Sequence, residues 1–176
     1  MVMTTHPSST IVACRICESE KITPVLDLGR QALANHLRRE RADTLPTYPL
    51  IICRCEECGT IQLTETVAPE NLFMDYVWVT GTSDGARDYS RIFCKRLVSR
   101  CQAGPLFVIE IASNDGTFLK RFVERGDCVL GVDPAQNIAA MAERDGVRTL
   151  PEFFGLEVAK GIVERSGEAD AVFARN

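Results

Sequence analysis

Two rhythms of apolar residues run along this chain. From about residue 105 onward, short apolar runs alternate with stretches of helical spacing. Residues 106–111 are apolar apart from Glu110, as in a strand covered on both faces. Residues 116–125 predict a helix with Phe118, Leu119, Phe122 and Val123 as one apolar stripe. Residues 128–132 predict a second strand, and 135–144 a second helix opened by Pro134. A short third strand is expected over 147–150, a third helix over 156–164 and a fourth strand over 169–174. Such alternation with short loops implies a parallel α/β sheet with crossover helices.

The earlier part of the chain reads differently. Residues 11–64 carry short β-like runs at 24–28 and 48–52, with turn signals at Gly29, Pro46 and Gly59. An aromatic patch at 73–78 and a polar turn at 80–85 follow. A helix comes next, in which Ile92, Phe93, Arg96 and Leu97 recur at helical spacing. The expected division is a flexible tail (1–10), a cysteine-rich module (11–66), a connecting segment (67–104) and the α/β domain (105–176). Asn176 follows directly on a strand, so the sheet is expected to be incomplete at its C-terminus and the chain to be a fragment.

Composition narrows the function classes. The chain has 176 residues, 45% of them hydrophobic and 25% charged, which fits a globular protein. No apolar run approaches the roughly 20 residues of a membrane span, and the start lacks the features of a signal peptide. A cytoplasmic, monomeric protein without a membrane partner is expected. The net charge of −4 argues against a nucleic-acid partner. Without an export signal, the 8 cysteines point to metal ligation rather than disulfides.

Four of those cysteines form a pattern. Cys14 and Cys17 make one Cys-x-x-Cys pair, and Cys55 and Cys58 make another. Each pair can fill two corners of a tetrahedron, so one structural zinc ion is expected. Four thiolates would close the coordination sphere and leave no position for chemistry. Cys53 is a competing ligand; Cys94, Cys101 and Cys128 read as small apolar residues. Arginines in the module keep a nucleic-acid-reading zinc ribbon in view, but residues 38–41 read as a solvated helix face.

A second constellation closes the first parallel strand. Glu110, Ala112, Ser113, Asn114, Asp115 and Gly116 resemble the acidic-x-Gly-x-Gly-x-Gly turn of S-adenosylmethionine-dependent methyltransferases. Ala112 and Asn114 stand at the first two glycine positions and Gly116 at the third. Alanine has the smallest Cβ-bearing side chain, and asparagine visits left-handed backbone angles. Asp133, followed by Pro134, lies 23 positions after Glu110, where an acid would hold ribose hydroxyls. Glu110 is expected to face an amino group of the cofactor or the turn backbone. Phe153 and Phe154 would sandwich its adenine, or else belong to the core.

The order of motifs resembles one family. Cys-x-x-Cys is followed by Leu26-Asp27-Leu28-Gly29, by Ala34-Asn35 and by the second Cys-x-x-Cys with Gly59. Then come Glu70-Asn71-Leu72-Phe73, Tyr76, the segment 110–119, Gly131 to Ala135 and Asn137-Ile138-Ala139. The whole resembles the sugar C-methyltransferases that act on carbon 3 of nucleotide-activated keto-deoxyhexoses. The resemblance implies an N-terminal zinc domain, a central Rossmann-like domain and a C-terminal domain. It implies S-adenosylmethionine as methyl donor and a dTDP-linked 4-keto sugar as acceptor. It also implies a place for Tyr76 in the acceptor pocket and for Ser83 beside the cofactor. The family's catalytic histidine is expected beyond Asn176; His6 and His36 are not read as catalytic. The chain alone is therefore expected to be inactive. Two alternatives stand beside this reading: a non-catalytic zinc scaffold, and a zinc-ribbon nucleic-acid methyltransferase.

Overall fold

The computed structural model describes residues 8–38, 40–42 and 44–175. Most of the expected tail, with His6, lies outside the described residues, as do Arg39 and Asn176. The chain divides between Leu72 and Phe73 into two compact units.

The first unit is built of antiparallel strands. β1 (Ser8–Thr10) pairs with β5 (Glu65–Val67), so the end of the expected tail is a strand. β2 (Ile22–Ala32), β3 (Thr47–Cys55) and β4 (Ile61–Leu63) form a three-stranded sheet in that order. β2 is longer than the apolar run that announced it, because it absorbs register shifts between Pro24 and Leu26 and between Asp27 and Arg30. At the second shift Gly29 takes φ +70°, and its N–H donates to Asp27 Oδ1 at 2.7 Å. The Asp27–Gly29 pair thus makes a local turn inside the strand. Arg38, Glu40 and Arg41 are exposed and lie outside any helix, which corrects the expected helix face. α1 (Glu70–Phe73) is a single turn at the boundary of the units.

The second unit opens with α2 (Asp84–Val98), capped by the Ser83 side chain, which accepts from the Ala86 N–H at 3.3 Å. Its inward face is Ser90 and Cys94 with Phe93 and Leu97; Ile92 is exposed, against the expected stripe. The following elements are β6 (Phe107–Ile111), α3 (Leu119–Val123), β7 (Cys128–Val132) and α4 (Gln136–Arg144). β8 (Thr149–Leu150), α5 (Leu156–Ser166) and β9 (Ala171–Ala174) complete the unit. The sheet is parallel in the order β8-β7-β6-β9. This is an α/β, Rossmann-like arrangement joined to a cysteine-rich zinc module. No helix among the described residues is long and apolar enough to cross a membrane.

The sheet buries both faces. Val108 packs with Cys94, Leu119, Phe122, Ala142 and Val147 on one side. Ile109 packs with Leu130, Val132 and Ile162 on the other. Successive β6 side chains point to opposite faces, so an uninterrupted apolar run was required. α3 is shorter than expected because Gly116 adopts φ +73° and the next residues complete a loop before the helix begins. Val123, expected in the apolar stripe, is exposed, and so is Cys128, read as a small apolar residue.

The chain order reverses direction at β6, whose neighbours are β7 and β9. In open α/β sheets, ligands bind at the carboxyl ends of strands beside such a reversal. Gly116 sits there, where a Cβ would lie 2.8 Å from Val147 Cγ1. Gly116→Ala is expected to lower stability by about 1–3 kcal/mol, from the left-handed backbone and the overpacking together. Urea denaturation measures this; an unchanged midpoint would contradict it.

Candidate metal centre and cofactor-binding loop

The two cysteine pairs sit on matching turns. The Glu18 N–H donates to Cys14 O at 2.9 Å, and the Gly59 N–H donates to Cys55 O at 3.0 Å. Glu18 has φ +60° and Gly59 has φ +74°. Both residues stand four positions after the first cysteine of their pair, so the same knuckle is built twice. Only the second was visible in the sequence, through its glycine. The knuckles bring all four sulfurs within 4.8 Å of one another. Cys14 Sγ lies 3.7 Å from Cys58 Sγ, and Cys17 Sγ lies 3.5 Å from Cys55 Sγ. A tetrahedral zinc site with Zn–S near 2.3 Å needs sulfurs about 3.8 Å apart. Cys53 is buried in β3 and is not among the clustered ligands.

The electrostatics of the cluster favour a dication. Backbone N–H groups of Cys17 and Ile16 bring the Cys14 thiol down to about 6. The Thr60 hydroxyl and backbone lower Cys58. Cys17 moves the other way: the Ser19 backbone stabilises its thiolate, but the Cys58 and Cys55 sulfurs together carry it up to about 12. Four thiols this close cannot all ionise without a positive charge between them, and Zn²⁺ supplies it.

The second site is a loop at the carboxyl end of β6. Three alternate residues adopt left-handed angles: Ala112 at φ +54°, Asn114 at +51° and Gly116 at +73°. These are the three glycine positions of the motif. Asp133, just past β7, fixes the loop from the side. Its Oδ2 accepts the Asn114 N–H at 2.8 Å, and its Oδ1 accepts the Ala135 N–H at 2.9 Å. Each oxygen keeps a second lone pair. Pro134 lies between these anchors, ahead of α4.

The segment before α2 fixes the loop from above. Asn114 Oδ1 accepts the Thr80 N–H at 2.8 Å, and its Nδ2 donates to Trp78 O at 3.0 Å. Asp115 Oδ2 accepts the Gly81 N–H at 2.9 Å, and Asp115 Oδ1 accepts the Thr117 hydroxyl at 2.8 Å. A Cβ on Gly81 would stand 2.5 Å from Asp115 Oδ2, so glycine permits this approach. The neighbouring Ser83 is engaged as the α2 cap. Tyr76 is half-buried, with its backbone N–H held by Asn137 Oδ1 at 3.1 Å and its carbonyl by Asn137 Nδ2 at 2.8 Å.

Glu110 is fully buried at the centre of this rim. Arg175, directly after β9, donates to Glu110 Oε1 from Nη2 at 2.7 Å and from Nε at 3.2 Å. Glu110 Oε2 and Ser113 Oγ are buried without a hydrogen-bond partner among the described residues. Arg175 was missed in the sequence reading. The acid inside a buried strand signalled the need for a cation, but which arginine meets it is set by the β6–β9 pairing. Phe153 and Phe154 follow β8, two strands from β6. They are 36% and 41% exposed, so their reading as core is corrected.

Comparisons with known proteins agree with the first site. Residues 14–73 match the family model described as "Putative zinc binding domain". Those residues carry a zinc-binding domain. Over 166 residues, 92% of this chain, the sequence is 32% identical to "C-methyltransferase NovU" from Streptomyces niveus. The chain spans 39% of that relative's length. Both matches bear out the resemblance to the N-terminal portion of these C-methyltransferases. Among solved structures, a SAM-dependent methyltransferase from Archaeoglobus fulgidus is 21% identical, with a TM-score of 0.36 over 43% of this chain and 33% of its own. The tRNA (uracil-54, C5)-methyltransferase of Pyrococcus abyssi, in complex with S-adenosyl-L-homocysteine, is 17% identical. Its TM-score is 0.28 over 78% of this chain and 28% of its own.

Two outcomes follow from the geometry. The chain should carry about one zinc equivalent, and Cys55→Ser should lose it with unfolding of the first unit. Metal analysis and circular dichroism read this; full metal content in the mutant would refute the ligand set. The second outcome concerns Glu110. Burial raises its carboxyl from the ordinary 4.5 to about 7, with Arg175 opposing the rise and Asp115 and Asp133 adding to it. The folded state therefore holds a proton that the unfolded chain has released. Stability from this group is present below about 4.5 and is lost as pH rises through about 7. Glu110→Gln should flatten the fall in stability across that window in denaturation curves.

Proposed function

We propose that this chain is the N-terminal portion of an S-adenosylmethionine-dependent C-methyltransferase acting on carbon 3 of a dTDP-linked 4-keto-deoxyhexose. The observation that carries the reading is the rim where Glu110 and Asp133 meet. Carboxylates stand at the carboxyl ends of the neighbouring parallel strands β6 and β7, and two buried polar atoms, Glu110 Oε2 and Ser113 Oγ, have no partner among the described residues. A ligand with an amino group and vicinal hydroxyls fits that set. The similarity to NovU supports the reaction class.

When bound, S-adenosylmethionine supplies a sulfonium methyl group that a carbon nucleophile takes in line. The residues of this chain bind and orient. Glu110 Oε2 accepts from the amino group of the methionine moiety, and Ser113 Oγ bonds beside it. Asp133 takes the ribose hydroxyls on the lone pairs its backbone partners leave open. Phe153 and Phe154 are exposed enough to flank a planar base. Tyr76 lines the acceptor pocket. Acidity at carbon 3 comes from the adjacent ketone, so a base that removes that proton generates the nucleophile; no residue of this chain is assigned that role. Zinc holds the fold of its module and takes no part in the transfer. The enzyme acts as a cytoplasmic monomer on a free nucleotide sugar, with no nucleic acid.

Calorimetric titration with S-adenosylhomocysteine tests the reading. One saturable site is expected, weakened about tenfold or more in Asp133→Ala, where hydrogen bonds to a charged acceptor are lost. No saturable binding at millimolar ligand would sink the proposal. Trp78 is the chain's only tryptophan, and its carbonyl is bonded to Asn114, so its fluorescence offers a second readout of occupancy.

A further inference from the structure

Both donors of the Arg175 guanidinium that reach Glu110 converge on one oxygen, Oε1, rather than bridging the two. An arginine free to choose would make the two-oxygen fork that its geometry favours. Here its position is dictated elsewhere. The guanidinium carbon stands 3.0 Å from the centroid of the Phe118 ring. That ring is buried and edge-packed by Phe93 and Tyr89, with centroids at 5.6 Å and 6.0 Å. The register of β6 with β9 pairs Ile111 with Ala174, so Arg175 emerges one step past the end of the ladder. The cation is thus clamped between an aromatic face and one carboxylate oxygen.

The charges around this clamp do not balance. Burial acts most strongly on Glu110; Arg175 opposes it, and the negative charges of Asp115 and Asp133 add to it. The remaining buried acceptor, Glu110 Oε2, therefore sits in a field that favours a second cation.

We propose that Arg175 is a positioning residue: by occupying Oε1 and fixing the carboxylate plane, it presents Glu110 Oε2 to a cationic amine of the ligand. The proposal rests on the reading of this rim as a site for S-adenosylmethionine, whose amino group is that cation. Arg175 itself does not touch the ligand. Its loss leaves the carboxylate free to rotate and easier to protonate, and either change removes the acceptor.

The test compares two ligands on the 176-residue chain. S-adenosylhomocysteine carries the amino group; 5′-methylthioadenosine lacks it. Arg175→Met should weaken the first about tenfold or more and leave the second unchanged. Arg175→Lys should recover most of the loss. Equal weakening of both ligands, or no weakening of S-adenosylhomocysteine, would overturn the proposal. Should Arg175→Met fail to fold, Arg175→Gln carries the same comparison. A second arm needs no ligand. Carbon-13 NMR titration of the Glu110 carboxyl should give a midpoint of about 7 in the parent chain and a higher one without the guanidinium. An unchanged midpoint would overturn the clamp. If the parent chain binds neither ligand, the reading of the rim falls, while the titration still decides whether Arg175 controls Glu110.

Discussion

The Asp133 carboxylate ties the ends of two parallel strands together, and the shape of the loop after β6 depends on it. Ala112 and Asn114 are held at left-handed angles at a cost of about 1 kcal/mol or more each. Asparagine lowers that cost locally, but alanine does not. A hydrogen bond from the Asn114 N–H to an ionised carboxylate is worth about 1.5–3 kcal/mol, enough to hold the middle of the loop. The other oxygen fixes the first turn of α4 through the Ala135 N–H. One side chain thus sets the loop after β6 and the helix after β7 at once. Gly131 in β7 completes the arrangement: a Cβ there would lie 2.9 Å from Thr149 Oγ1 and closer still to Ser113 Oγ.

The first unit meets a different constraint. Among its described residues, the buried apolar side chains are Cys14, Cys53 and Cys55. Nearly every β2 side chain is exposed. A sheet with so little apolar burial cannot offset the entropy of ordering its chain by packing alone. A cross-link at four sulfurs replaces the missing core, and it joins residues 14–17 to 55–58 across the β2–β3 hairpin. Cys14 and Cys55, one ligand from each pair, are accordingly buried, while Cys17 and Cys58 stay exposed.

Much of this was legible in the sequence where chemistry and periodicity agreed. β7 was read to the residue, because a buried parallel strand leaves an unbroken apolar run with a glycine that packs closely. The cysteine spacing announced the knuckles, although Glu18 hid the first turn by standing where the second knuckle has a glycine. Periodicity failed where it could not choose between faces. Ile92 and Val123 continue helical stripes yet are exposed, since each helix touches the sheet over a narrower arc than the stripe suggests. Phe153 and Phe154 look like core by composition, but they lie in the loop after the edge strand β8 and are exposed. Arg175 was overlooked because its meaning lies in the β6–β9 register, and pairing between distant strands leaves no local pattern.

The polar turn before α2 was read as a connector, and its hydrogen bonds give it another part. Thr80, Gly81 and the Trp78 carbonyl all bond to side chains of the loop after β6, and Arg87 of α2 holds the Gly81 carbonyl. The loop is therefore braced from the strand behind it, from Asp133 beside it and from this segment above it. A loop braced on three sides loses little freedom when a ligand arrives, so more of the contact energy remains for binding. The strained angles at Ala112 and Asn114 belong to that design. The cost of holding them is met by the fold in advance, and among the described residues Glu110 Oε2 and Ser113 Oγ stay buried beside the loop without a partner.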